Sequence, residues 1–234
     1  MRQMWTTPAA ALAAAGALLA ASPAQADDRR CDGLIGPETV PGGVVVPAGE
    51  VCELAGTRVL GSVRVGTGAA LFAEGFDLSG NLDVRGDADV SLDRGAIAGS
   101  VKATRPGSAV FAERLTVAGT LEASRADILD LRDSVVDGDF YVRDTQEGSL
   151  FCGNSLNGNS EFTGNLGQLT VGAGDGFCDG NRLGGNVKVA GNRGFTEIGD
   201  NEVRGDLTCF GNDPPPVGGG NRVQGNREGQ CAAL

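Results

Sequence analysis

The chain has no histidine, one tryptophan and one tyrosine among 234 residues. Without histidine there is no Ser-His-Asp triad, no Cys-His dyad and no imidazole ligand for a metal. Aromatic residues make up only 5%, so a core must be filled by aliphatic side chains. Positive charge is also scarce: 19 Lys and Arg against 30 Asp and Glu give a formal net charge of −11. That balance argues against nucleic acid and anionic lipid as partners. No stretch beyond the first 26 residues carries a helical hydrophobic period over ten residues, which argues against a helical fold. Glycine, by contrast, is abundant at 39 residues, more than twice the usual level of about 7%. It has no three-residue period, which excludes collagen.

Residues 1–26 read as a secretory signal peptide. Arg2 supplies the positive start, Ala9 to Ala21 the apolar stretch, and Ala24-Gln25-Ala26 the small-residue cleavage site. Cleavage is expected before Asp27. The apolar stretch is shorter than the ~20 residues a membrane span needs, and no later stretch is long enough. The expectation is a secreted, extracellular chain with no membrane span after signal removal.

The remainder is a repeat of Gly-x-apolar-x-apolar. Its glycines are Gly42, Gly61, Gly80, Gly99, Gly119, Gly138, Gly158, Gly185, Gly205 and Gly225, spaced by 19, 19, 19, 20, 19, 20, 27, 20 and 20 residues. An aliphatic residue stands two positions before them, from Val59 and Leu78 to Val203 and Val223. A second pair, spaced by two, runs Cys52/Leu54, Leu71/Ala73, Val90/Leu92, Val110/Ala112, Leu129/Leu131 and Ser149/Phe151, and resumes at Leu169/Val171 and Thr196/Ile198. Spacing by two is the strand period. Short strands that bury one face must stack on the next coil.

The fold class expected is therefore all-β: a single-stranded parallel β-helix (β-solenoid) of 19–20 residues per coil and about nine coils. The lack of a strict six-residue period favours a right-handed coil. The division expected is an N-terminal cap at 27–41, the β-helix at 42–224 and a C-terminal cap at 225–234. The repeated glycine is expected where a side chain does not fit. Three residues after it stand Arg64, Asp83, Lys102 and Glu122; on adjacent strands such alternating charges attract.

The 27-residue interval carries seven extra residues, placed at 172–182. That loop breaks the repeat, and loops on rigid scaffolds often carry function. Its candidate binding residues are Asp175, Phe177, Asp179, Asn181 and Arg182. Gly-Asn occurs once before residue 150 and nine times after it, a change in turn chemistry within one solenoid. Six cysteines in a secreted chain point to disulfides. The repeat phase pairs Cys31 with Cys52, Cys152 with Cys178 and Cys209 with Cys231. The closed ends and Pro214-Pro215-Pro216 argue against end-to-end polymerisation, so a monomer is expected.

From Gly185 to Cys231 the chain reads Gly-Asn-Val-Lys-Val, Gly191-Asn192, Asp200-Asn201, Gly205-Asp-Leu-Thr-Cys209, Gly211-Asn212-Asp-Pro-Pro-Pro and Gly-Gln-Cys231. This resembles secreted Gly/Asn-rich parallel β-helix repeat proteins of high-GC Gram-positive bacteria. The resemblance implies a secreted β-helix and supplies no activity or site. The short coils are more loosely similar to bactofilins, whose polymerisation does not carry over.

Two functions are compatible with these features. One is a non-enzymatic cell-surface or extracellular structural or binding module, its partner a cell-wall glycan or another extracellular protein. The other is a polysaccharide lyase or glycoside hydrolase on a β-helix scaffold. The latter needs two carboxylates across a cleft, and the candidate groups are Asp83/Asp87/Asp89 and Asp127/Asp130/Asp133. There is no Cys-x-x-Cys and no Gly-Gly-x-Gly-x-Asp repeat, so neither cofactor nor metal is expected.

Overall fold

The computed structural model describes residues 27–105, 109–173 and 179–234. The expected signal peptide at 1–26, and Asp175, Phe177 and Cys178 of the loop, lie outside the described residues. Within them are 31 strands and no helix. All strands pair in parallel, in three sheets of eleven, ten and ten strands. Each full coil contributes one strand to each sheet, so the molecule is a β-solenoid of about nine turns.

The registers follow the sequence columns. In the first sheet Val44, Val63, Leu82, Val101, Leu121 and Phe140 lie over one another. In the second, Leu54, Ala73, Leu92, Ala112, Leu131, Phe151, Val171 and Ile198 do so. In the third, the column runs from Val40 through Leu78 and Val136 to Val203 and Val223. These inward residues are buried, with Val223 only partly so. Alternation by two puts one face of each strand inside, and stacking turns each inward position into an aliphatic ladder.

Where coils are filled by aromatics, they cluster. Phe140, Phe151 and Phe162 are fully buried, with ring centroids 5.3 to 5.8 Å apart. The small Ser149 and Ser160 occupy inward positions beside them, so large and small side chains share the volume.

The repeated glycine marks a close approach of backbones. A Cβ on Gly80 falls 2.5 Å from the carbonyl oxygen of Gly61, and one on Gly138 falls 2.6 Å from the carbonyl carbon of Gly119. No side chain fits there, as the column suggested. The amide of Gly80 donates to the carbonyl of Gly61 at 2.9 Å, and that of Gly99 to Gly80 at 3.1 Å.

The other two corners use a left-handed residue followed by an inward one. Early corners read Gly75–Phe76, Arg114–Leu115 and Arg125–Ala126; later ones read Gly153–Asn154, Gly164–Asn165, Gly191–Asn192 and Gly211–Asn212. This accounts for the Gly-Asn pairs at these corners; Gly158-Asn159, Gly185-Asn186 and Gly225-Asn226 belong instead to the repeated-glycine corner. Glycine supplies the positive φ without a Cβ penalty, and asparagine supplies a polar side chain that stays satisfied inside. Two buried asparagine ladders result. One runs Asn154, Asn181, Asn201, Asn221; each of the first three donates its backbone N–H to the next side-chain oxygen at 3.0 to 3.1 Å. The other runs Asn165, Asn192, Asn212 and ends on Gln230, whose Oε1 accepts from the Asn212 N–H at 2.9 Å.

At the N-terminal side, residues 29–40 form an abbreviated coil, with Arg29–Arg30, Leu34–Ile35 and Thr39–Val40 joining the three sheets. At the other side Arg227–Gly229 is the last strand of the first sheet, and Leu234 is buried against the core. Disulfides link Cys31 to Cys52 and Cys209 to Cys231. Cys152 is disulfide-bonded as well; its expected partner Cys178 lies outside the described residues.

Candidate outward-facing site

The strands flanking the insertion are Gln168–Gly172 and Arg182–Leu183. Their registers to the coils on both sides are unbroken, so the stack continues across the insertion. Of the candidates in this loop, Arg182 is exposed and sits 4.0 Å from the Glu202 carboxylate. Asp179 is exposed, and its backbone carbonyl accepts the Gly153 N–H at 2.8 Å. Asn181 is a correction to the sequence reading: it is 1% exposed. Its amide donates to the Phe151 carbonyl at 2.8 Å and to Asn201 Oδ1 at 3.0 Å. It is a rung of the buried ladder and offers nothing to a ligand.

The candidate acid groups are dispersed. Asp83 lies on a strand of the first sheet, Asp87 in the corner that follows, and Asp89 at the start of a strand of the second sheet. Asp83 is held by Arg85 at 2.5 Å. Asp130 accepts two hydrogen bonds from Arg132, at 2.8 and 2.6 Å; this charge-assisted pairing raises the Arg132 guanidinium above its usual pKa. Asp133 turns the next corner with a left-handed backbone.

On the first sheet the outward column places Arg64, Asp83, Lys102 and Glu122 side by side. Lys102 and Glu122 pair at 3.7 Å, whereas Asp83 turns to Arg85 and Arg64 to Asp28. Further along, Arg143 bridges Glu122 at 3.6 Å and Glu161 at 3.5 Å. It lies 4.8 Å over the Tyr141 ring. Tyr141 donates its hydroxyl to Asp139 at 2.9 Å. Asp139 also accepts the Asn159 backbone N–H at 2.8 Å. The backbone donor, followed by the tyrosine, holds Asp139 below the usual carboxylate range; the carboxylate in turn raises the Tyr141 phenol.

The second sheet carries a different outer face. Its outward column reads Glu53, Phe72, Ser91, Phe111, Asp130, Leu150. Phe72 and Phe111 are 48% and 45% exposed, large values for phenylalanine on a strand. The strands that hold them are Ala70–Glu74 and Ala109–Glu113. A shallow depression of about 310 Å³ surrounds Phe111, lined also by Ser91, Asp93, Glu113, Asp130 and Arg132.

Along the rim of this face runs a chain of ion pairs. Arg94 contacts Glu74 and, at 3.3 Å, Asp93; Arg114 contacts Asp93 at 2.8 Å and Glu113 at 3.4 Å. Both arginines have left-handed backbones, φ 51° and 53°, at a corner where other coils use Gly56, Gly75 and Gly153. The sequence reading missed the two phenylalanines. The signal was present: each stands between the paired inward residues, Leu71/Ala73 and Val110/Ala112, and must point outward.

No protein-family profile, curated protein or solved structure matches this chain. The outward faces thus carry the functional argument.

Proposed function

We propose that the chain is a secreted, non-enzymatic extracellular module, a stapled rod that presents a flat β-face to cell-wall glycan or to another extracellular protein. The outer face of the second sheet carries this reading. It aligns two exposed aromatics on one sheet face, and each rim carboxylate has an arginine partner. Aligned apolar exposure rimmed by polar groups marks interaction sites. Disulfides on both end coils suit an oxidising compartment, and among the described residues no helix is long and apolar enough to cross a membrane. The leader expected at 1–26 adds to the same reading.

The test is co-sedimentation of the purified protein with isolated cell walls and with insoluble polysaccharides. Saturable binding is the expected result. A protein that stays in the supernatant at every wall concentration overturns wall attachment.

A further inference from the structure

We propose that the strip Phe72–Ser91–Phe111–Asp130 is a docking platform for an extended, uncharged β-1,4-linked glycan lying along the stacking axis. This inference rests on the binding-module reading and names its ligand class.

The spacing is the first argument. Phe72 and Phe111 are two strands apart in register, with Ser91 between them. Adjacent strands lie ~4.8 Å apart, so the two side chains leave the backbone at points about 9.6 Å apart. That is close to the disaccharide repeat of an extended β-1,4-linked chain, in which every second sugar presents the same face. Pyranose rings carry apolar C–H faces that stack on aromatic rings. One sugar covers Phe72, the next passes over the short Ser91, and the third covers Phe111. A coiled α-1,4-glucan does not match two rings so placed along a straight rod.

The surroundings are the second argument. Hydroxyls project from the edges of such a chain and need hydrogen-bond partners. Ser91, Asp93, Glu113, Asp130 and Arg132 surround the Phe111 ring. Each of these carboxylates has an arginine partner: Arg114 is shared by Asp93 and Glu113, and Arg132 engages Asp130. A face with internally paired charges selects neither a polyanion nor a polycation, and its carboxylate and guanidinium edges still bind hydroxyls.

The experiment titrates the full chain with cellohexaose, chitohexaose and maltohexaose by calorimetry. The variants are Phe72→Ala, Phe111→Ala and, off the strip, Phe195→Ala, which removes another exposed ring. All three are surface truncations, and matched unfolding midpoints verify that each folds. The expected result is binding of at least one β-1,4 hexasaccharide, with affinity lowered about tenfold or more by either strip variant. Phe195→Ala leaves it unchanged, and maltohexaose does not bind. Failure of both β-1,4 hexasaccharides to bind overturns the ligand class, as does binding that survives both strip variants. Wall co-sedimentation separates the two readings. Unchanged sedimentation of the Phe72→Ala/Phe111→Ala double variant sinks the strip and leaves the surface module standing. A wild-type protein that binds neither walls nor hexasaccharides sinks the strip and wall attachment together.

Discussion

Asn165 and Asn192 form a stacked amide pair inside the solenoid. The backbone N–H and the side-chain Nδ2 of Asn165 both donate to Asn192 Oδ1, at 2.9 and 2.8 Å. The Nδ2 of Asn192 donates onward to Asn212 Oδ1 at 2.9 Å and to the Phe162 carbonyl at 3.1 Å. Each rung thus satisfies polar groups on three coils.

Removing such a rung leaves buried donors without acceptors, at about 1–3 kcal/mol for each orphaned group. Asn192→Ala is expected to destabilise the fold by about 3 kcal/mol. Asn186→Ala takes away the exposed acceptor of the Asp206 N–H and should cost less than about 1 kcal/mol, because water replaces it. Denaturant unfolding of both variants measures the contrast; equal losses contradict the ladder's energetic role.

A Cβ on Gly95 collides with the ring of the buried Phe76 in the coil below. Overpacking of this kind costs about 1–3 kcal/mol, so Gly95→Ala should lower stability by that much. Phe76→Leu frees the space, and the double variant should lose less than the two singles combined. Gly138→Ala meets backbone alone, the carbonyl carbon and oxygen of Gly119 at 2.6 and 2.7 Å, where no side-chain truncation offers relief. Additive losses in the Phe76/Gly95 cycle argue against the contact.

Asp139 is held below its usual pKa by the Asn159 backbone N–H and by the Tyr141 hydroxyl. A depressed carboxylate contributes stability above its unfolded pKa, and that contribution fades as pH falls below about 3.9 through the folded value. Tyr141 is raised; its contribution is present below about pH 10 and fades as pH rises through the folded value. Carboxyl NMR titration should place Asp139 below the ordinary range, and Tyr141→Phe should move its midpoint upward. A midpoint that does not move removes the tyrosine from the account.

The two terminal disulfides close loops of 21 and 22 residues in sequence. Loops of this size give about 3 kcal/mol each in the chain-entropy account. Stacked repeats contact mainly their neighbours, so the loss on Cys31→Ser/Cys52→Ser should stay local. Amide exchange is expected to speed up in the strands Val44–Val46 and Val51–Ala55 and to change little beyond the middle of the rod. Uniform acceleration along the chain contradicts this.

Much of the fold was legible because a solenoid writes its register into one dimension. Val59, Leu78 and Ile97 keep a fixed distance from the repeated glycine, and that distance alone placed them on one ladder. The interior asparagines were not legible in the same way. Gly-Asn is turn chemistry wherever it occurs, and Asn186 on the surface reads the same as Asn192 within. Only the stacking of several coils makes a buried amide satisfiable. For the same reason Asn181 looked like a ligand group and proved to be a rung. Arg94 and Arg114 were hidden for another reason: their left-handed backbones stand where glycine would have signalled the turn.

The two styles of corner imply different responses to temperature. Early coils fill their corners with Phe76, Ala88, Leu115 and Ala126; later coils fill them with hydrogen-bonded amides from Asn154 onward. Apolar burial loses strength on cooling and carries a large heat-capacity change. Amide ladders contribute chiefly through bonding enthalpy and share little of that curvature. Cooling is therefore expected to weaken the corners of the early coils before those of the late ones, while the apolar ladders that run through both halves respond alike.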